Sequence, residues 1–194
     1  STVNAIKYCN ATPHFYDADK NTLSIDLEKF ENYLKKNTYL TKNKCINKKT
    51  GKHIKVLIVT HVNGLCCNII KLKKILDKNK INLVEDAAEA LGCFFKGRAL
   101  GTFGEAGILS FNGNKIITTG GGGALMFKSK KLHKYALHLS KNCKVYNKFD
   151  VSHDKVGFNY RMPSINASLG ISQLTKIRKQ KLLMVNLVMD TVVI

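Results

Sequence analysis

Lys115 and Asp86 are the residues through which this chain could do chemistry. Lys115 follows an apolar run, "GILSF", by the short stretch "NGN", and the glycine run "TTGGGG" comes soon after it. A lysine so placed can be a nucleophile, a phosphate clamp or a surface charge. Asn and Gly accept left-handed backbone, so the turn can be sharp and return the lysine toward the strand end. Ser110 ends the apolar run and offers a hydroxyl to an anion. The order of residues excludes a nucleoside-triphosphate loop. In G-x-x-x-x-G-K-[ST] the glycines precede the lysine, and here they follow it.

Asp86 lies near the end of a second apolar run, "INLVEDA" (81–87). In open α/β sheets, ligands bind beyond the carboxyl ends of the strands. A carboxylate there is desolvated unless a cation partners it. On position alone, Asp86 reads equally as a ligand group and as the cap of a helix beginning at "AAEALG". Its neighbour Glu85 points to the opposite face if the strand continues. The pair says more than either member. A carboxylate and a lysine at the ends of neighbouring strands, with a serine between them in sequence, fit pyridoxal phosphate. The lysine bonds the cofactor, the acid pairs with the pyridinium nitrogen, and hydroxyls hold the phosphate.

The elements that must position these groups alternate between strand and helix. "HIKVLIVTHV" (53–62), "INLVEDA" (81–87), "AGILSF" (106–111) and "GALMF" (123–127) read as strands, the first two as buried ones. "NIIKLKKILDKNK" (68–80) places Ile69, Leu72, Ile75 and Leu76 on one helical face. "SIDLEKFENYLKK" (24–36), "KSKKLHKYALHLSK" (128–141) and "MPSINASLGISQLTKIRKQ" (162–180) read as further helices. Ser24 with Glu28 stands close to a capping-box spacing, and Ser164 is a candidate cap behind Pro163. The alternation predicts an α/β sheet, mostly parallel and covered on both faces. The Lys/Asn-rich stretch 35–53 reads as a surface loop or insertion. The apolar tail 179–194 has no obvious stop and reads as truncated or aberrant.

Composition narrows the partners. Of 194 residues, 44% are hydrophobic, enough for a real core. Lys and Arg total 32 against 13 acids, a formal net charge of +19. Such a balance suits nucleic acid. The distribution argues against it, because only two arginines, Arg98 and Arg161, precede residue 178 and no aromatic platform is interleaved. No apolar run approaches the roughly 20 residues of a membrane span. The six cysteines form no C-x-x-C pair and have no matching histidine spacing, so the sequence predicts no metal site. With no secretory signal at Ser1, the expectation is reduced thiols in a cytoplasmic protein.

The stretch "VEDAAEALGCFFKGRALGTFGEAGILSFNGNKIITTGGGGALMF" (84–127) closely resembles the DegT/DnrJ/StrS family of pyridoxal-phosphate-dependent nucleotide-sugar aminotransferases. Residues 1–34 resemble the part just upstream in that family, and "VGFNYRMPSINASLGISQL" (156–174) resembles its downstream segment. "SFNGNK" with "ITTGGGG" looks most like the branch that makes 4-amino sugars from UDP-linked 4-keto-6-deoxy-hexosamines. The resemblance implies a three-layer α/β/α transferase large domain over 1–178, truncated at both ends, with the small domain missing. It implies that Lys115 carries the cofactor and that Asp86 bonds the pyridine nitrogen. Glu89 falls where the family places a Gln or Glu near the ring. Ser110 matches a phosphate-binding hydroxyl, and Asn159 matches the residue that reaches the cofactor phosphate of a partner subunit. His61 lies where the family has a His-bearing strand end, and reads equally as a packed structural histidine. The implied reaction moves an amino group, from glutamate in this reading, to a nucleotide-linked keto-sugar in a homodimer with shared sites. The alternatives are an inactive fragment of such an enzyme and a basic binding module.

Overall fold

Helix α1 (Thr2–Tyr8) leads to α2 (Leu27–Asn37) in a computed structural model that describes residues 2–147 and 150–177. A hairpin follows, β1 (Thr38–Thr41) and β2 (Lys44–Asn47). Next come β3 (Val56–Thr60), a 3₁₀ turn over Val62–Gly64, α3 (Ile69–Lys78) and β4 (Asn82–Asp86). The small ribbon β5 (Phe94–Phe95) and β6 (Arg98–Ala99) precedes β7 (Ala106–Ser110) and β8 (Gly123–Phe127). The described chain ends with α4 (Lys130–Leu139), β9 (Lys144–Tyr146), β10 (Val151–His153) and α5 (Ser164–Leu174). The four strands and four helices expected from the sequence are all present. The tail 179–194 lies outside the described residues. By its internal contacts the chain divides into two compact units, Ser1–Leu109 and Ser110–Ile194.

In the first unit, β3, β4 and β7 pair in parallel, with Thr60 opposite Asp86 and Asp86 opposite Ile108. Helix α3 buries Ile69, Leu72, Ile75 and Leu76, the four residues its spacing put on one face. Each such side chain contributes about 1.5–3 kcal/mol by leaving water, before conformational entropy is counted. Asn68 caps the helix by accepting from the Lys71 amide at 3.0 Å. The strands are not uniformly buried as their apolar runs suggest. Along β4, Leu83 and Glu85 are inside, Asn82 is exposed, and Val84 and Asp86 are half-buried, which is the two-residue period of a pleated strand.

Local chemistry corrects three expectations. Helix α2 is capped by Asp26, whose Oδ1 accepts the amides of Glu28 and Lys29, both at 3.1 Å; Ser24 is buried two residues upstream. Helix α5 starts after Pro163, and Ser164 is its first residue rather than its cap. The stretch 35–53 is not simply a loop. It completes α2 and then forms the β1–β2 hairpin. Lys42 and Asn43 sit there at φ 43° and 62°, the left-handed pair of a type I′ turn. Cys45 and Asn47 alternate inward. Among the described residues no helix is long and apolar enough to cross a membrane.

Candidate active site

The carboxyl end of β4 is built on two adjacent acids facing opposite ways. Glu85 is fully buried. Its Oε2 accepts the Gly101 amide at 2.8 Å and faces His61 Nε2 at 3.0 Å. Its Oε1 accepts the amides of Phe103 at 2.6 Å and Gly104 at 2.7 Å. Burial pushes the Glu85 carboxyl up, but hydrogen bonds from His61, Gly104 and Gly101 together outweigh it and hold the group below its ordinary range. The loop 101–104 is thereby fastened beside β7. A Cβ at Gly107 would stand 1.9 Å from the Gly101 oxygen, so only glycine admits the loop there. His61 is the packed structural histidine of the two readings, wholly buried against Glu85. Its amide also donates to the Asp86 carbonyl at 3.0 Å.

Asp86, on the other face, is half-buried. Its Oδ2 accepts the Thr2 hydroxyl at 2.7 Å, and its Oδ1 accepts the Ala88 amide at 3.3 Å. No helix begins at residue 87, so the helix-cap reading fails. The chain turns instead and reaches β5. Glu89 is exposed, and its Oε2 accepts the Asn63 amide at 3.0 Å. In the first unit, then, Asp86 and Glu89 are three residues apart at the end of β4, each held by a partner distant in sequence.

The second unit carries Ser110, Lys115 and Asn159. Ser110 Oγ accepts the Asn112 amide at 3.3 Å, and the Lys115 amide donates to the Asn112 carbonyl at 3.1 Å. "NGN" thus forms a tight turn ahead of a half-buried Lys115, but none of its three residues takes the left-handed backbone that the sequence suggested. The loop is closed at its base. Thr119 donates to the Phe111 carbonyl, and Phe111 donates to the Gly122 carbonyl, both at 3.0 Å. Gly122 has φ 103°, a conformation that side-chain-bearing residues rarely adopt. Helix α5 grips the loop: the Thr118 amide donates to Gln173 Oε1 at 2.8 Å, and Asn166 Nδ2 donates to the Thr119 carbonyl. Asn159 is exposed, and its backbone bridges Lys141.

Thr2, Asn166 and Gln173 were not picked out from the sequence. Thr2 lies 84 positions from Asp86, and nothing local in the sequence links them. The amides of α5 could be read only as polar positions on a helix.

The residues present suit pyridoxal phosphate. A half-buried carboxylate with acceptor capacity left fits a protonated ring nitrogen. A lysine behind a rigid turn fits an aldehyde, and Ser110 with a glycine-rich backbone fits a phosphate. The profile of the DegT/DnrJ/EryC1/StrS aminotransferase family matches residues 1–182. The chain belongs to this family. Family enzymes of this kind depend on pyridoxal phosphate, in keeping with that donor set. Among its curated relatives, GDP-perosamine synthase of Escherichia coli O157:H7 is 34% identical over 175 residues, covering 90% of this chain and 43% of that protein. The UDP-4-amino-4,6-dideoxy-N-acetyl-beta-L-altrosamine transaminase of Campylobacter jejuni is 31% identical over 178 residues, covering 91% of this chain and 44% of that protein. Among solved structures, the Helicobacter pylori aminotransferase PseC, involved in pseudoaminic acid biosynthesis, matches with a TM-score of 0.77 and 26% identity, over 91% of this chain and 43% of PseC. The chain thus spans under half the length of the relatives it matches.

Proposed function

We propose that this chain is the cofactor-anchoring part of a cytoplasmic aminotransferase. It would transfer an amino group from an amino acid, glutamate in this reading, to a nucleotide-linked 4-keto-6-deoxy sugar for surface-polysaccharide synthesis. The observation that carries the reading is the family match over residues 1–182, a span that includes Asp86, Ser110 and Lys115. Asp86 and Lys115 fall in different units, and the family match is what joins them in one reading.

When bound, pyridoxal phosphate supplies an aldehyde that takes up an amino group and a ring that accepts an electron pair. Asp86 would hold the proton on the ring nitrogen, keeping that ring electron-poor. Thr2 fixes the carboxylate by occupying Oδ2. Lys115 would anchor the cofactor and then carry a proton to and from the substrate carbon, a role that contributes about 10²–10⁴-fold. Ser110 would bind the phosphate. Glu89 would border the ring. Asn159 would serve the phosphate of a partner subunit in a homodimer.

The nucleotide is where the two named relatives differ, one being named for a GDP sugar and one for a UDP sugar. The test is amino transfer from glutamate to GDP- and UDP-linked 4-keto-6-deoxy sugars. It uses the chain extended to the length of its relatives. Transfer to one of the two supports the reading and names the nucleotide. Transfer to neither, by a protein that binds the cofactor, contradicts the proposed acceptor.

A further inference from the structure

In the second unit, three donors of different chemistry converge outside the residues assigned to the cofactor. They are His138 near the end of α4, Cys143 in the turn before β9, and Asp154 just after β10. One ligand atom from each lies within 4.8 Å of the other two. His138 Nε2 and Asp154 Oδ1 are 2.7 Å apart. Cys143 is fully buried, with its sulfur 3.7 Å from the Val156 carbonyl. His138 and Asp154 are partly open to solvent.

The backbones that carry the donors are tied to one another. The Cys143 amide donates to the His138 carbonyl at 3.1 Å, and the Asp154 amide donates to the Cys143 carbonyl at 3.3 Å. Asn142 and Cys143 stand consecutively in left-handed backbone, at φ 58° and 50°. Cysteine is not among the residues that favour it, and such outliers cluster at functional sites. Gly157 lets the chain press on this turn, because a Cβ there would lie 2.5 Å from the Cys143 nitrogen. His153 Nδ1 sits 2.6 Å from the Asn142 carbonyl and adds a second tie.

We propose that His138, Cys143 and Asp154 form a binding site for a borderline divalent cation of the zinc class, with water in the fourth position. One sulfur, one imidazole and one carboxylate suit Zn²⁺ or Co²⁺, whereas Mg²⁺ and Ca²⁺ demand oxygen ligands. Tetrahedral ligands at such an ion lie roughly 3.3–3.7 Å apart. The pocket must therefore open slightly between His138 and Asp154, which stand 2.7 Å apart. Binding releases the Cys143 thiol proton to solvent. Thiolate, carboxylate and neutral imidazole then balance the ion's charge.

The test is a titration of the full chain with Co²⁺ alone, followed by visible absorption, then competition with Zn²⁺ alone. The expected result is one equivalent bound, with a thiolate-to-cobalt charge-transfer band, tetrahedral ligand-field bands and release of about one proton. Zn²⁺ should erase the bands. The charge-transfer band should vanish in Cys143→Ser and Cys143→Ala, either of which suffices if the other misfolds. Affinity should drop at least tenfold in Asp154→Asn. Absence of the band in the parent chain, or an unchanged band in a folded Cys143 variant, would overturn the site.

Discussion

The two units stabilise their candidate site residues by different means. In the first, a continuous apolar core from Phe30 to Phe103 backs the sheet, and Asp86 rides on a strand whose other face is pinned by Glu85. In the second, only Ile117, Thr119, Cys143 and Gly170 are buried among the described residues. There the lysine loop is held by hydrogen bonds with Phe111, Asn166 and Gln173, while Ile165 and Ile171 of α5 are 81% and 66% exposed. The lesson is a division of labour. The carboxylate is fixed by packing and a saturated buried charge. The lysine is fixed by polar ties, which are individually worth about 0.5–1.5 kcal/mol.

The comparison breaks first at Glu85. Glu85→Ala strands three loop amides and His61 without their acceptor, so stability should fall by about 3–5 kcal/mol in urea unfolding. A loss under about 1 kcal/mol would mean the loop is held by something else. Acid should reach the same network. The depressed Glu85 value means its contribution is complete above the unfolded carboxyl value, about 4.3. That contribution is lost as pH falls through the lower folded value. Glu85→Gln should flatten this acid limb of the stability profile.

The second unit yields smaller effects. Gly122→Ala forces a side-chain-bearing residue to φ 103° and puts a Cβ 3.0 Å from Met162 Cε. We expect a loss of about 1–2 kcal/mol, seen as faster amide exchange at 118–122. Gly121→Ala, which meets nothing within 4 Å, should stay within about 0.5 kcal/mol. Equal effects at the two glycines would contradict the account of the loop. In the first unit, away from the site residues, Asp26→Ala should cost about 1 kcal/mol through the lost cap of α2. It should leave cofactor binding unchanged.

Much of this was legible in the sequence because it is periodic or local. The spacing of Ile69, Leu72, Ile75 and Leu76 gave the buried face of α3, and the Asn-Gly-Asn turn gave the approach to Lys115. What escaped depends on long-range pairing. Thr2 meets Asp86 across 84 positions of sequence. The role of Glu85 needed the loop 101–104, whose donors are backbone amides that any sequence possesses. The hairpin at 38–47 hid because Lys42–Asn43 lacks the glycine that usually marks such a turn. The His138–Cys143–Asp154 cluster has no motif spacing and exists only where α4 and two strand ends meet.

The central claim is that Lys115 anchors pyridoxal phosphate. It is tested most directly by adding the cofactor to the chain extended to its relatives' length and recording visible absorption, with Lys115→Ala in parallel. The account predicts a band that resists dialysis and that borohydride fixes to the peptide bearing Lys115, with neither seen in a Lys115→Ala protein of unchanged stability. No band in the parent protein, or the same fixed label in Lys115→Ala, would contradict it.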